Sequence, residues 1–211
     1  SGVYKGQSTW LIENTLPNCE ILSIDIDLSK RRYISNKVIY SDKDFKYHDF
    51  SSIPENTLVF FDDHVNHYER IQQAKFFNIK NIILEDNYSK NNGDFYTIKH
   101  SYQNSGFNHK ETKLSYCKTV SIFLFEILRK AFKKNYYFPS DKINSRLRDH
   151  QSCVNDFKNI EGNIATYYEF PPMTKKSDIA TKPIFDDVNI NFEVSKNELN
   201  NYNYITYIKL K

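Results

Sequence analysis

The chain has 211 residues, of which 39% are hydrophobic and 16% aromatic, with 29 basic and 26 acidic side chains. This length and composition predict one folded domain with a core rich in large rings, and they exclude a disordered chain. The formal net charge of +3 comes from scattered basic residues, which gives no basis for a nucleic-acid partner, and no apolar run is long enough for a membrane span.

A glycine turn opens the chain. Gly2 and Gly6 flank the tight turn, and a helix is predicted to begin at Ser8 or Thr9 and to end at Leu16. Short apolar strands and one further helix then follow. The strands are predicted within 20–27, 36–42, 57–63 and 81–84, and the helix over 68–78. Strands that are apolar throughout and alternate with helices are typical of a parallel sheet covered on both faces. We expect the first strand of this sheet to precede Ser1, in a longer protein.

The second half of the chain is less regular. A polar loop is predicted over 91–113 and a helix over 114–133. A second helix is predicted over 140–160, capped by Ser140 or Asp141. Two late strands, within 163–170 and 202–210, should form an antiparallel pair at the edge of the sheet, joined by a polar, proline-marked loop.

Acidic residues follow each of the early strands. These residues are Asp25 and Asp27, Asp42 and Asp44, Asp62 and Asp63 with His64, and Glu85 with Asp86. In an open parallel sheet the ligand site lies beyond the carboxyl ends of the strands, so the acids should share one cleft. Clustered carboxylates repel one another unless some are protonated or a cation lies among them. Oxygen ligands without cysteine favour Mg²⁺, or else Mn²⁺ or Ca²⁺.

Asp62, Glu85 and Asp86 are the predicted metal ligands. The alternative is that these acids cap helix N-termini, where the helix dipole favours a carboxylate. Acidic pairs at two neighbouring strand ends favour the metal.

The glycine turn predicts a nucleoside site. Glycines let a ligand approach the backbone, and the N-terminus of the following helix favours a negative group. About twenty residues later comes Asp25, whose carboxylate can accept hydrogen bonds from both ribose hydroxyls. Asp27 is the competing candidate, and a simple strand end is the structural alternative.

Four motifs in this order, SGVYKGQST, LSIDID, FFDDH and IILEDNY, resemble the class I S-adenosylmethionine-dependent methyltransferases. More narrowly, they are similar to the metal-dependent O-methyltransferases of sugars and natural products, the group that includes macrolide-sugar methyltransferases and cephalosporin hydroxylase-like proteins. The resemblance covers roughly the first 96 residues well. It implies a single methyltransferase domain over 1–211 with a Rossmann-like α/β fold, in which a mostly parallel sheet is flanked by helices and closed by an antiparallel C-terminal strand pair.

The resemblance also implies roles for individual residues. The residues that would bind S-adenosylmethionine are Gly2, Tyr4, Gly6, Ser8, Asp25, Asp44, Phe45 and Asp62. The catalytic residues would be His64 and Asp63, and the metal, Mg²⁺ in first place, would be held by Asp62, Glu85 and Asp86. No glycine separates Asp62 from Asp63, which leaves open which of the two takes the metal position and whether Asp63 or His64 is the base.

The function implied by this resemblance is methyl transfer to a hydroxyl of a sugar or glycan, such as a deoxysugar of the rhamnose type. The overall character of the sequence resembles glycan methyltransferase domains of large DNA viruses of algae. Widely separated cysteines without a metal-binding spacing fit a reducing compartment, so we expect the cytoplasm, that of the host if the protein is viral. The alternatives are a nucleotide- or dinucleotide-binding Rossmann enzyme and a non-catalytic, methyltransferase-like scaffold.

Overall fold

The computed structural model describes residues 1–88, 93–108, 147–170 and 204–211. Within these ranges the protein is a mixed α/β structure. The predicted helix over 114–133, the predicted caps Ser140 and Asp141, and most of the loop between the late strands lie outside the described residues.

Two pairs of parallel strands form the centre of the structure. β1 (Ile21–Ile24) pairs with β2 (Val38–Ser41), and β3 (Leu58–Phe61) pairs with β4 (Asn81–Leu84). All four strands lie inside the predicted apolar runs. Their side chains are mostly apolar, but the predicted cover on both faces is incomplete, because Leu22, Ile39 and Leu58 are exposed.

Three further strand pairings among the described residues are antiparallel. β5 (Phe107–Asn108) pairs with β6 (Leu147–Arg148) as a short separate ladder. β7 (Ile164–Phe170) pairs with β8 (Ile205–Leu210), which also pairs with β4, so one sheet has the order β3-β4-β8-β7. The predicted antiparallel pair of late strands is confirmed.

In the part of the chain that the structure describes, four α-helices accompany the strands: α1 (Gln7–Thr15), α2 (His67–Phe76), α3 (Ile98–Tyr102) and α4 (His150–Glu161). The predicted helix over 140–160 is wrong at its start, because Asp149 is the N-cap and its carboxylate accepts a hydrogen bond from the Ser152 amide at 2.6 Å. The prediction of an irregular loop over 91–113 missed α3, which Thr97 and His100 begin with a capping box.

The core lies between α2 and the sheet of β3 and β4. Ile82, Leu84 and Ala74 are completely buried there. The ring of Phe45 completes the core, with its centroid 4.8 Å from that of Phe50 and 4.9 Å from that of Phe61. None of the described helices is long and apolar enough to cross a membrane.

The first two residues lie between β1 and β3. The backbone nitrogen of Ser1 donates to the carbonyl of Phe60 at 2.6 Å, and the Asp62 amide donates to the carbonyl of Ser1 at 2.9 Å. On the other side, the Gly2 amide donates to the carbonyl of Ile24 at 2.8 Å. The glycine turn is thereby placed at the carboxyl ends of both parallel pairs.

Candidate functional site

A cavity of about 400 Å³ lies at the carboxyl ends of β1 and β3. Its wall includes the glycine turn and acids from three different strand ends. The lining residues that matter below are Gly2, Tyr4, Asp25, Asp44, residues 62–65 and Arg70. The parallel arrangement therefore brings Asp25, Asp44, Asp62 and Asp63 to one cavity. The other predicted strand-end acids do not line it: Glu85 and Asp86 line an adjoining small cavity, and Asp27 and Asp42 line neither.

Both glycines of the turn are required by its geometry. Gly2 has φ 90°, and a Cβ there would lie 1.6 Å from the carbonyl oxygen of Asp62. Gly6 has φ 92°, and a Cβ there would lie 2.7 Å from the Cβ of Tyr33. Only glycine combines these backbone angles with such close approaches. The turn thus packs directly against the end of β3.

Asp25 holds the turn from the β1 side. Its Oδ2 accepts hydrogen bonds from the amides of Val3 at 2.9 Å and Tyr4 at 2.8 Å, and its Oδ1 accepts from the Asp27 amide at 2.9 Å. The competing candidate, Asp27, caps a short 3-10 helix by accepting from the Ser29 amide, and it does not line the cavity. Of the two acids, Asp25 is the one in a position to meet a ligand.

Ser8 and Asp62 connect α1 to the end of β3. The Ser8 hydroxyl donates to Asp62 Oδ2 at 3.3 Å. Asp62 lines both the large cavity and an adjoining small one, so it stands where the two spaces meet.

Asp62 and Glu85 form a close carboxyl pair across β3 and β4. Burial, a hydrogen bond with Asp62, and the charges of Asp62 and Asp86 raise the pKa of Glu85 to about 9. At neutral pH the Glu85 carboxyl is therefore protonated, and the pair is joined by a hydrogen bond. Beside the pair is the small cavity of about 10 Å³, roughly the space that one water molecule occupies.

The carboxylates of Asp62, Glu85 and Asp86 are the oxygen ligands that a hard divalent cation prefers. Their positions suit such an ion only in part. Asp62 and Glu85 converge, and a cation could replace the proton that they share. Asp86 adjoins them, but it has φ 53° and its Oδ2 accepts a hydrogen bond from the Tyr88 hydroxyl at 2.9 Å. Within the described ranges no three acidic, histidine or cysteine side chains are gathered in a metal-binding arrangement.

His64 lies in the loop between β3 and α2, exposed at the mouth of both cavities. Its φ is 52°, and its Nδ1 lies 3.2 Å from Asp94 Oδ2. The hydrogen bond to Asp94 raises the pKa of the His64 imidazole above its ordinary value. The ring also packs edge-on against Phe95, with centroids 5.5 Å apart. Asp94, which is not among the predicted site residues, therefore orients this imidazole through Nδ1.

Asp63 and Asp44 both pair with Arg70, a residue that sequence reasoning missed. Arg70 is 1% exposed, and its Nη2 lies 2.8 Å from Asp63 Oδ2. The same guanidinium donates to both carboxylate oxygens of Asp44, at 3.0 and 2.9 Å. Burial opposes ionisation of Asp44, but the hydrogen bonds and charge of Arg70 outweigh it and hold the pKa of Asp44 below its usual value.

A weak signal for Arg70 exists in the sequence. His67, Arg70 and Gln73 follow one another at a spacing of three on α2, and all three are buried beside the apolar face. A polar stripe next to an apolar one resembles an exposed helix flank, so the spacing alone could not distinguish the two.

Phe45 and His67 are structural neighbours of the site. Phe45 is 1% exposed within the core and does not line the large cavity, although a role in donor binding was predicted for it. His67 is buried, with Nε2 2.9 Å from the Glu85 carbonyl oxygen, and its Nδ1 accepts from the Ile98 amide at 3.4 Å. Burial lowers the pKa of His67 to about 3, so this imidazole is neutral and fixes the end of β4 to the start of α3.

Comparison with protein families, with characterised proteins and with solved structures found no match to this chain.

Proposed function

We propose that this protein is an S-adenosylmethionine-dependent O-methyltransferase with a Rossmann-like methyltransferase fold, which methylates a hydroxyl of a sugar or glycan with the help of a divalent cation. One observation carries the proposal. The glycine turn is hydrogen-bonded to Asp25 and packed against Asp62 in the wall of a cavity of about 400 Å³, and the Asp62–Glu85 pair lies next to it.

The cavity suits a nucleoside-sized donor. Its volume of about 400 Å³ falls within the range of small-molecule sites. The backbone of the glycine turn and Asp25 would face the ribose and amino-acid ends of the donor, with Tyr4, exposed at the rim, alongside. Asp44 would line the far wall.

His64 is the proposed base. A sugar hydroxyl is a very weak acid, whereas the sulfonium donor already carries an activated methyl group. His64 Nε2 accepts the hydroxyl proton, the hydroxyl oxygen bonds to the methyl carbon, and the carbon–sulfur electron pair stays on sulfur as the thioether product. Because Nδ1 faces Asp94, a neutral His64 would carry its proton on Nδ1 and accept at Nε2. Asp63 is held by Arg70 in an ion pair, which favours His64 for this role.

Asp62 and Glu85, with Asp86 beside them, would hold the divalent cation. When bound, such an ion lowers the pKa of a hydroxyl that coordinates it. The acceptor that suits this chemistry is a sugar with two adjacent oxygens, and a deoxysugar of the rhamnose type is our proposed class.

Calorimetry with S-adenosylmethionine, S-adenosylhomocysteine and NAD, with and without Mg²⁺, tests the donor. We expect both S-adenosyl compounds to bind and NAD not to bind. Binding of NAD alone would replace the proposal with a dinucleotide-binding enzyme, and no binding of any of the three would favour a scaffold.

A radiolabelled methyl-transfer screen over deoxysugar glycosides, with and without EDTA, tests the reaction. We expect transfer that the chelator abolishes. Equal transfer in EDTA would remove the cation from the proposal while leaving methyl transfer intact.

A further inference from the structure

We infer that Arg70 is a positioning residue for the donor cavity, which fixes the carboxylates of Asp44 and Asp63 in one geometry and thereby sets the affinity for the methyl donor. This inference rests on the proposed function and assigns a role to a residue that the chemistry above does not use.

The contacts of Arg70 form a planar fork. Nη1 and Nη2 donate to the two oxygens of Asp44 at 3.0 and 2.9 Å, and Nη2 also lies 2.8 Å from Asp63. Nη1 donates in addition to Gln73 Oε1 at 2.7 Å, and Gln73 is itself completely buried. A two-point contact to a carboxylate fixes its orientation as well as its charge.

The position of this fork is what indicates a role in binding. Asp44 is the N-cap of a short 3-10 helix (Phe45–Tyr47) after β2, Asp63 follows β3, and Arg70 belongs to α2. Arg70 and both aspartates line the large cavity. One side chain therefore connects the β2 side of the cavity with the loop that carries His64.

A contribution to stability does not by itself explain why Arg70 is buried beside Asp44 and Asp63. Taking an arginine and two carboxylates out of water is costly, and well-packed apolar side chains often serve a core equally well. The ring of Phe61 lies 5.4 Å from the guanidinium carbon, so apolar neighbours are available to such a core. A guanidinium at this place instead fixes the orientation of two wall carboxylates, which an apolar side chain cannot do.

The test uses Arg70→Lys and Arg70→Met, with Lys75→Met as the matched control. Lys75 lies on the same helix, is exposed, and donates to Asn163 at 2.8 Å, away from the cavity. The affinity for S-adenosylhomocysteine is measured by calorimetry, and circular dichroism establishes that each variant is folded. We expect Arg70→Met and Arg70→Lys each to weaken binding at least about tenfold, because a lysine ammonium cannot form the fork. Lys75→Met should bind like the wild type.

The conservative variant separates positioning from charge. If Arg70→Lys binds within twofold of the wild type, or if folded Arg70→Met does so, the inference is overturned. If neither Arg70 variant folds, Arg70 is a stability residue and the inference is likewise overturned. If the wild type and Lys75→Met also fail to bind the nucleoside, the proposed function itself has failed, a result that the weakening of the Arg70 variants alone cannot produce.

Discussion

Gly2 shows how strongly a single residue constrains this site. Its φ is 90°, and any Cβ at this position would lie 1.6 Å from the Asp62 carbonyl oxygen, which leaves no room for a side chain. The turn can therefore reach β3 only through glycine, and the shape of the large cavity depends on that contact.

Gly2→Ala should lower the free energy of unfolding by roughly 2 kcal/mol or more, because it combines a strained backbone with a backbone clash. Denaturant unfolding measures this change. Gly162→Ala is the matched control, since Gly162 has φ −61° and nothing lies within 4 Å of a Cβ there. That control should be neutral or gain up to about 1 kcal/mol. Equal effects of the two substitutions would contradict the geometry of the turn.

Burial of the His67 imidazole should make the free energy of unfolding depend on pH. Its pKa is about 3 in the folded protein and 6.5 ordinarily, so between these values the unfolded chain binds a proton that the folded protein does not. Stability is therefore lost as the pH falls below 6.5, with a slope of about 1.4 kcal/mol per pH unit from one such group.

His67→Gln should remove this slope. The difference in unfolding free energy between the wild type and the variant, measured by denaturant titration from about pH 7 to about pH 4, should shrink steadily as the pH falls. His150→Gln, at the exposed start of α4, is the control and should leave the slope unchanged. A constant difference between wild type and His67→Gln over this range would show that His67 can be protonated in the folded state.

At the scale of elements, the parallel direction of β3 and β4 brings Asp62 and Glu85 together. The folded pKa of Glu85 is about 9 against an ordinary 4.5, so the unfolded chain loses this proton first as the pH rises. Without a divalent cation, stability should therefore fall between about pH 4.5 and pH 9.

Glu85→Gln should abolish this fall and raise the thermal midpoint at about pH 8 in EDTA. The same variant should lose binding of Mn²⁺, measured by electron paramagnetic resonance, because it removes one of the two converging carboxylates. Glu20→Gln, at an exposed position before β1, is the control for removal of one acid. Unchanged Mn²⁺ binding in Glu85→Gln would exclude this pair as the cation site.

Much of this arrangement follows from the sequence, and the missing parts have physical causes. The apolar runs predicted β1 to β4, and their common direction placed Asp25, Asp62 and Glu85 at one edge. The start of α4 was not predictable because Ser140 and Asp141 are as good N-caps as Asp149. α3, β5 and β6 are too short for periodicity to show.

The acids, the glycine turn and His64 were predictable, but the contacts between side chains of the site were not. Arg70 reaches Asp44 across 26 positions of sequence, and no local pattern encodes such a contact. The partnership of His64 with Asp94 likewise depends on a loop 30 residues away. Sequence patterns identified the groups that carry charge, and tertiary packing decided which of them meet.

At the scale of the whole molecule, Asn87 joins three separate segments behind the site. Its side-chain amide nitrogen lies 2.6 Å from the Thr206 hydroxyl on β8 and 2.9 Å from Glu169 on β7. Its Oδ1 accepts from the Lys99 amide on α3 at 3.0 Å, and Lys99 Nζ is paired with Glu169 at 2.8 Å. Asn87 thus fixes the loop that carries Glu85 and Asp86 to the antiparallel strands β7 and β8.

Asn87→Ala should destabilise the protein by roughly 2–3 kcal/mol, because it leaves buried hydrogen-bonding groups without partners. Chemical denaturation gives this value. Asn155→Ala, at an exposed position of α4, should change it by less than about 0.5 kcal/mol. A loss no larger at Asn87 than at Asn155 would mean that the C-terminal strands do not depend on this side chain.

The bridge made by Ser1 and Gly2 has a consequence for motion. Its backbone is hydrogen-bonded to Ile24 on one side and to Phe60 and Asp62 on the other. A ligand that limits the motion of this short segment should therefore also limit the motion of β1 and β3. A small molecule seated against the turn should therefore slow amide hydrogen–deuterium exchange at Gly2 and Asp62 in concert, and protection should spread into both parallel pairs.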